Sequence, residues 1–254
     1  MEDIAYHSFL KQFKFKKHLE GYVGIEREHF LSSQNGIYIP QAKKFLAKIN
    51  DVRWTYELSA CQVESRTRPE IKVHFIRKEL LENEMNGKLV AASLGLYLVN
   101  NEVADDTLPD DIYPDPRYLK VAKNMPKEMI RAGCRVAGTH IHIGVRNMTQ
   151  AIKTYNLLVP HLKRLSQTGD HSNGQRLEMY RTMAVHWEPR IYENAHHFFE
   201  VAVAQGFGEN LRNCWHLIRI SRHGTVELRM FGAAQDIEEI IEWVKYAQSI
   251  LRRH

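Results

Sequence analysis

Four stretches of this chain set chemistry-bearing side chains two residues apart: Glu26 and Glu28, Gln62 and Glu64, His140 and His142, and Glu227 and Arg229. On a β-strand, residues i and i+2 share a face, and the intervening positions here are mostly apolar. Within 136–145 the strand pattern puts Ala137, Thr139, Ile141, Ile143 and Val145 on a core face. His140 and His142 share the other face with Gly138 and Gly144, residues that leave open space. Taken alone, two such imidazoles read equally well as ligands or as polar residues on a half-exposed strand. Two carboxylates at i and i+2 repel each other and suit a buried face only with a cation between them. If the four strands form one sheet, they line a single ionic face backed by a hydrophobic one. Carboxylates dominate that face and imidazole is the minority, a mix that suits Mg²⁺ or Mn²⁺ better than zinc. Arginine beside such a site points to an anionic substrate, because guanidinium grips carboxylate or phosphate through a permanently charged fork. Arg181, Arg219, Arg222 and Arg229 are the candidates; Arg229 stands out because Glu227 shares its face, with Arg181 and Arg222 next.

The elements that must position these residues follow from periodicity. Residues 21–31 alternate as a strand, 41–50 read as a short helix, and 54–64 are β-rich. Pro69 opens a helical pattern to about Leu81, extending into the nineties with a break expected near Gly87. A strand is expected in 94–99, a loop over the Asp- and Pro-rich 100–116, and a helix over 117–132. Further helices are expected at 148–166, 178–188 and 193–205. Two strands, 215–221 and 225–231, flank a turn at His223-Gly224, and an amphipathic helix over 235–253 closes the chain.

The 254 residues can bury a sizeable core, and 44% hydrophobic with 26% charged residues is ordinary for a globular protein. The net charge of +5 fits a polyanion or an anionic small substrate. Lys11 to Lys17, with Phe13 and Phe15 between, reads as a solvated amphipathic segment or as a nucleic-acid patch. Cys61, Cys134 and Cys214 form no CxxC and fit free thiols in a reducing compartment. The acidic start shows no signal peptide, and the longest apolar run, 89–99, is too short to span a bilayer. A cytoplasmic protein without membrane partners is expected.

The order of these motifs resembles glutamate–cysteine ligase family 2, the carboxylate–amine ligases of the glutamine synthetase superfamily. Gly24-Ile25-Glu26-Arg27-Glu28 resembles the opening G-x-E-x-E strand of that family. Glu57 with Gln62-Val63-Glu64 and Thr67 resembles its E…Q-x-E-x-x-T segment, and Pro116-Arg117-Tyr118 a P-x-x-R-Y-like stretch. Residues 138–145 are similar to G-x-H-V-H-V-G, and 224–229 to the closing G-T-V-E-x-R. Leu165-Ser166, Ser172, Gly174 and Tyr180-Arg181 resemble a worn L-S-A-N-S-P…Y-R region, with Gln167-Thr168 replacing Ala-Asn. The chain is much shorter than typical members.

The resemblance implies an α+β fold: a curved, mostly antiparallel sheet with a concave active-site face, helices outside, and one catalytic domain over 1–254. It implies ATP and Mg²⁺ or Mn²⁺ as cofactors, with a glutamate-like carboxylate donor and an amine acceptor as amino-acid substrates. By position, Glu28, Glu57 and Glu64 would hold one metal, and Glu26, His140 and Glu227 a second, nearer the transferred phosphoryl group. His142 and Arg222 would contact the nucleotide phosphates, while Arg181, Arg222 and Arg229 would serve substrate and catalysis. The implied reaction is γ-glutamyl amide formation through an acyl phosphate, of the glutathione-biosynthesis type, with 167–174 as a closing loop. A metal-dependent ATPase or phosphotransferase is the alternative, as is a non-catalytic binding module using the basic Lys11–Lys17 arm. Nucleic acid is not expected as a partner, and analogy with similar sheets admits a homo-oligomer.

Overall fold

The computed structural model describes residues 2–252. Seven strands, β1 (Val23–Ser32), β2 (Trp54–Tyr56), β3 (Gln62–Arg66), β4 (Tyr97–Val99), β5 (Gly138–Gly144), β6 (Ile218–Ser221) and β7 (Thr225–Gly232), form one sheet. Its order is β2-β3-β1-β5-β7-β6, with β4 against the end of β1, and every pairing is antiparallel. One face carries the alternating apolar residues, among them Val23, Ile25, Ile141, Ile143, Ile218, Ile220, Val226 and Leu228, all buried. Against it lie α3 (Val73–Ser93), α6 (Met148–Leu158), α9 (Ala195–Ala204) and α10 (Ile237–Arg252), which contribute Ile76, Tyr155, Phe198 and Ile241 to one continuous core. The opposite face holds the paired polar residues, so the strand period separates core from chemistry. This is the curved antiparallel α+β architecture expected from the motifs.

The differences from the sequence reading are local and physical. A first helix, α1 (Glu2–Lys11), precedes the basic segment and escaped the sequence reading. The aromatics of that segment are committed to the core: Phe13 stacks edge-on against Phe9 at 5.3 Å and meets Phe198 at 5.9 Å. Lys11, Lys14, Lys16 and Lys17 stay exposed around them, as a solvated amphipathic segment would. Following α2 (Ala42–Ile49), α3 runs unbroken through Gly87. The glycine is there for close approach, since a Cβ on it would lie 2.6 and 2.7 Å from the Trp54 ring. The helix expected over 117–132 is two, α4 (Pro116–Asn124) and α5 (Lys127–Arg135). Pro126 forces Met125 into an extended conformation, φ −102° and ψ 149°, which ends α4.

Pro160 likewise turns the end of α6 into a 3-10 turn before α7 (Leu162–Thr168). Helix α8 (Gln175–Met183) begins and ends earlier than its expected range. Arg253, the expected end of the closing helix, lies outside the described residues. The segment expected as a closing loop is pinned. Its first residues belong to α7, Asp170 accepts from the backbone N–H of Ser172 and Gly174, and Glu102 accepts from that of His171. Cys61, Cys134 and Cys214 are buried and unpaired. Among the described residues no helix is long and apolar enough to cross a membrane.

Gly87→Ala tests the helix–sheet contact. Glycine to alanine inside a helix normally stabilises by roughly 0.5–1 kcal/mol. Here the new methyl must displace a packed indole, so urea denaturation is expected to show a net loss of about 1–3 kcal/mol. A gain in stability would show that the Trp54 contact yields freely.

Candidate active site

The site is assembled by strand register. Pairing of β1 with β3 sets Glu28 directly opposite Glu64, and pairing of β1 with β5 sets Glu26 opposite His140. One row further, Gly24 faces His142, His142 faces Glu227 on β7, and Glu227 faces Arg219 on β6. Directly opposed side chains on one face lie close enough to interact strongly, and like charges there destabilise. The β5–β7 register shifts between Thr139 and Ile141, so His140 faces two residues of β7, Arg229 and Met230. Such a bulge re-aims side chains, and here Arg229 turns to the cavity while Met230 enters the core.

A cavity of about 250 Å³ opens over this face, lined by Glu26, Glu28, Glu57, Glu64, His140, Arg176, Arg219, Arg222 and Arg229 among others. Glu57 comes from the segment between β2 and β3. Its carboxyl is pushed up to about 7, by burial first and by the charge of Glu28 next. Glu64 is driven well above its ordinary value by burial and by Glu26 and Glu57, although Arg66 donates to it at 2.7 Å. Glu28 accepts the Gly138 backbone N–H at 2.6 Å.

Glu26 behaves oppositely. Burial would raise it, but His142 and His140 outweigh that and hold it well below the usual carboxylate range. His142 is correspondingly raised, the charges of Glu26 and Glu227 overcoming burial. His140 is lowered, by burial and then by Arg229. Glu227 is wholly buried, and burial alone would raise its pKa. Arg219, His142 and Arg229 reverse the sign and keep it ionised. Arg219 donates through Nε and Nη2 at 2.7 and 2.9 Å, and Arg229 through Nη1 at 2.5 Å.

The donor set fits divalent cations. Ligand atoms lie within 4.8 Å of one another in three overlapping groups: Glu28–Glu57–Glu64, Glu26–Glu64–His140 and Glu26–His142–Glu227. A buried nitrogen without a hydrogen bond supports the fit. His142 Nδ1 pairs with Thr225 Oγ1 at 2.9 Å. Its Nε2 makes no aligned hydrogen bond and has only ion-pair contacts, the nearest at 3.2 Å to Glu26 Oε2. The group Glu28–Glu57–Glu64 coincides with the first metal set expected from the motifs. The second expected set, Glu26 with His140 and Glu227, is not brought together as one group. Register explains this: Glu227 is opposite His142, while His140 is opposite Glu26 and reaches towards Glu64.

Arg222 lines the cavity and Arg229 does so while paired to Glu227. Arg181 is exposed, with its guanidinium 4.3 Å over the Trp187 ring, and does not line the cavity. Arg176, five residues earlier on α8, takes the inward position that the sequence reading missed. It is 3% exposed and donates to the carbonyls of Ala137, Met230 and Arg229 at 2.8, 3.2 and 3.2 Å, bracing the bulge. The glycines beside the histidines therefore leave no open space. A Cβ on Gly138 would strike the Arg176 guanidinium, and one on Gly144 the Leu19 carbonyl, whereas Gly24, opposite His142, faces open space. Gln62 lines the cavity but spends its amide on the Val136 carbonyl at 2.7 Å.

An antiparallel sheet with helices on one face and carboxylates, histidines and arginines on the other defines an α+β protein with an acidic, cation-competent cavity. The sequence profile of glutamate–cysteine ligase family 2 matches residues 22–166, and the chain belongs to this family. A glutamate–cysteine ligase of Natronomonas pharaonis is 25% identical over 259 residues, covering 91% of this chain and 69% of its own length. A Frankia casuarinae protein, assigned without proof as glutamate–cysteine ligase 2-1, is 25% identical over 174 residues. The match takes in 63% of this chain and 45% of that one, so the chain spans about half the length of such relatives. In structure it is similar to a bifunctional glutathione synthetase from Pasteurella multocida, with TM-score 0.62 and 12% identity, over 97% of this chain and 39% of the other. That likeness concerns the fold.

The raised Glu57 carboxyl gives the cation site a pH signature. A carboxyl held above its unfolded value of 4.5 contributes stability that is full at low pH and lost as pH rises through about 7. Divalent cations should offset that loss, so the gain in Tm on adding Mg²⁺ or Mn²⁺ is expected to grow from pH 5 to pH 8 by several °C, at about 2–4 °C per kcal/mol. Glu57→Gln should flatten the profile in EDTA and shrink the cation-induced gain. A gain that ignores both pH and the substitution would remove Glu57 from the site.

Proposed function

We propose that this chain is an ATP-dependent carboxylate–amine ligase that joins a glutamate-like carboxylate to an amine, and that residues 1–254 act as one catalytic domain. The observation that carries this reading is the run of three overlapping ligand groups on one sheet face, flanked by arginines, in a chain of the glutamate–cysteine ligase family. Carboxylate and triphosphate repel each other, so a ligase must neutralise both before they can meet. Glu28, Glu57 and Glu64 would hold one Mg²⁺ or Mn²⁺ ion, and Glu26 with His142 and Glu227 or with His140 and Glu64 a second. Bound there, the metals supply charge neutralisation of the phosphate oxygens.

The chain's own residues do the rest. Glu227, clamped by Arg219 and Arg229, fixes the two guanidinia at the cavity floor, where Arg229 can hold a donor carboxylate oxygen in line for phosphoryl transfer. Arg222 stands at the mouth for the nucleotide phosphates. The donor oxygen accepts the γ-phosphoryl group, the amine nitrogen then attacks the carbonyl carbon of the acyl phosphate, and phosphate departs. The apolar wall from α4 and α5 keeps water from the activated carbonyl.

Incubation with ATP, Mg²⁺, glutamate and a panel of amines should release ADP and yield a product of combined mass less one water. ADP without amide would mark an ATPase or phosphotransferase, and no ADP with any pair would end the ligase reading. Glu26→Gln is the sharper probe, because this carboxylate is common to two ligand groups and is not held by arginine. Its turnover should fall on the order of 100-fold or more, the scale set by losing a ligand to a charge-stabilising cation. Its circular dichroism should be unchanged. Glu227→Gln would confound folding with catalysis, since it leaves two arginines short of their buried partner.

A further inference from the structure

The cavity has two unlike halves. Its floor is the carboxylate face of the sheet. Another part of its wall, from α4, α5, α8 and the segment before β3, is built of Leu58, Val121, Met125, Met129, Ile130 and Met183. Helix α4 is amphipathic yet buries no residue. Such a helix ordinarily turns its apolar stripe to a core; here Val121 lines the cavity, as does Met125 just past the helix end, which also packs against the main core. Methionine side chains adapt to the shape of whatever packs against them. None of the six carries a strong hydrogen-bond donor or acceptor.

Arg117, Arg212 and Arg222 line the same cavity. Among the described residues, none of the three is ion-paired with a carboxylate, while Arg219 and Arg229 both are. Arg212 is close enough to the other two that burial and their charges lower its proton affinity. An apolar compartment beside three unneutralised guanidinia calls for a ligand with an apolar body and an anionic group.

Building on the ligase reading above, we propose that the amine acceptor is an α-amino acid with an aliphatic or aromatic side chain larger than that of cysteine. The side chain fills the methionine-lined compartment, the carboxylate meets Arg117 and Arg212 while Arg222 is left to the nucleotide phosphates, and the amine points to the carboxylate floor. A nucleobase fits this compartment poorly, because its ring nitrogens and exocyclic amine would be desolvated without partners. A side chain as small as cysteine's would leave the apolar wall facing empty space and forfeit contact. In the joining step the acceptor nitrogen bonds to the donor carbonyl carbon and the C–O bond to phosphate breaks. The ammonium gives up two protons, one ending on the departing phosphate and the other released to solvent.

The test uses the full chain with ATP, Mg²⁺ and glutamate against glycine, alanine, cysteine, leucine, methionine and phenylalanine, with 3-methylbutylamine as leucine without its carboxylate. Amide formation is read by mass spectrometry and ADP release by a coupled assay. The expected kcat/KM for leucine, methionine or phenylalanine exceeds that for cysteine and alanine at least tenfold. It should fall at least tenfold when the carboxylate is absent, and Arg212→Gln should erase that difference. Met129→Gln should raise the acceptor KM at least tenfold and the KM for ATP less than twofold, with Met125→Gln as a second variant if the first does not fold. Preference for cysteine or alanine overturns the inference and leaves the ligase reading standing, as does a rise confined to the KM for ATP. ADP release with no amide from any pair overturns both.

Discussion

Glu28 and Glu64 face each other across two hydrogen-bonded strands, with Glu57 completing the group. Everything else in the structure answers to that arrangement. Three carboxyls in a partly dry space cannot all ionise without a cation, and burial with mutual repulsion pushes Glu57 and Glu64 upward. The cost is carried by the far side of the same strands. There Val23, Ile25, Ile141 and Ile143 are sealed under α3, α6, α9 and α10. A sheet is suited to this division because adjacent residues serve opposite faces, so a destabilising row of acids can be backed residue for residue by a stabilising row of aliphatics.

The arginines show a second level of the same design. Arg176 spends its donors on backbone carbonyls at the β5–β7 bulge, and Arg219 and Arg229 spend theirs on Glu227. These three guanidinia have acceptors on the protein, which is the condition for tolerating a buried charge. Arg27, between Glu26 and Glu28, follows this in part on the helix side, its two terminal nitrogens paired and its buried Nε without a partner. It donates to Glu84 of α3 at 2.7 Å and to the Ala234 carbonyl at 2.8 Å, and so ties β1 to its cover. Arg117 and Arg212 of the cavity are exposed to solvent and fall outside that rule.

How much could be read in advance follows from the range of each signal. The i, i+2 pairs were legible because strand period is local, and so was the sheet they imply. The choice between Arg181 and Arg176 was not, because both lie on α8 and only tertiary packing decides which one points inward. Gly138 and Gly144 looked like open space, yet distant residues, Arg176 and Leu19, fill the positions beside them. The partition of His140 and His142 between ligand groups depends on register with β1 and β7, which no single stretch encodes. The apolar wall was hidden for a similar reason: methionines on an amphipathic helix look the same whether they face a core or a cavity.

The three cysteines carry a consequence for redox chemistry. Burial pushes the Cys61 and Cys134 thiols up to about 12 and Cys214 to about 11, so almost none of each is thiolate at neutral pH. Exchange with a disulfide requires thiolate and access, and these side chains offer neither. The folded protein should therefore pass unchanged through swings in glutathione poise, forming no mixed disulfides and calling for no reductant.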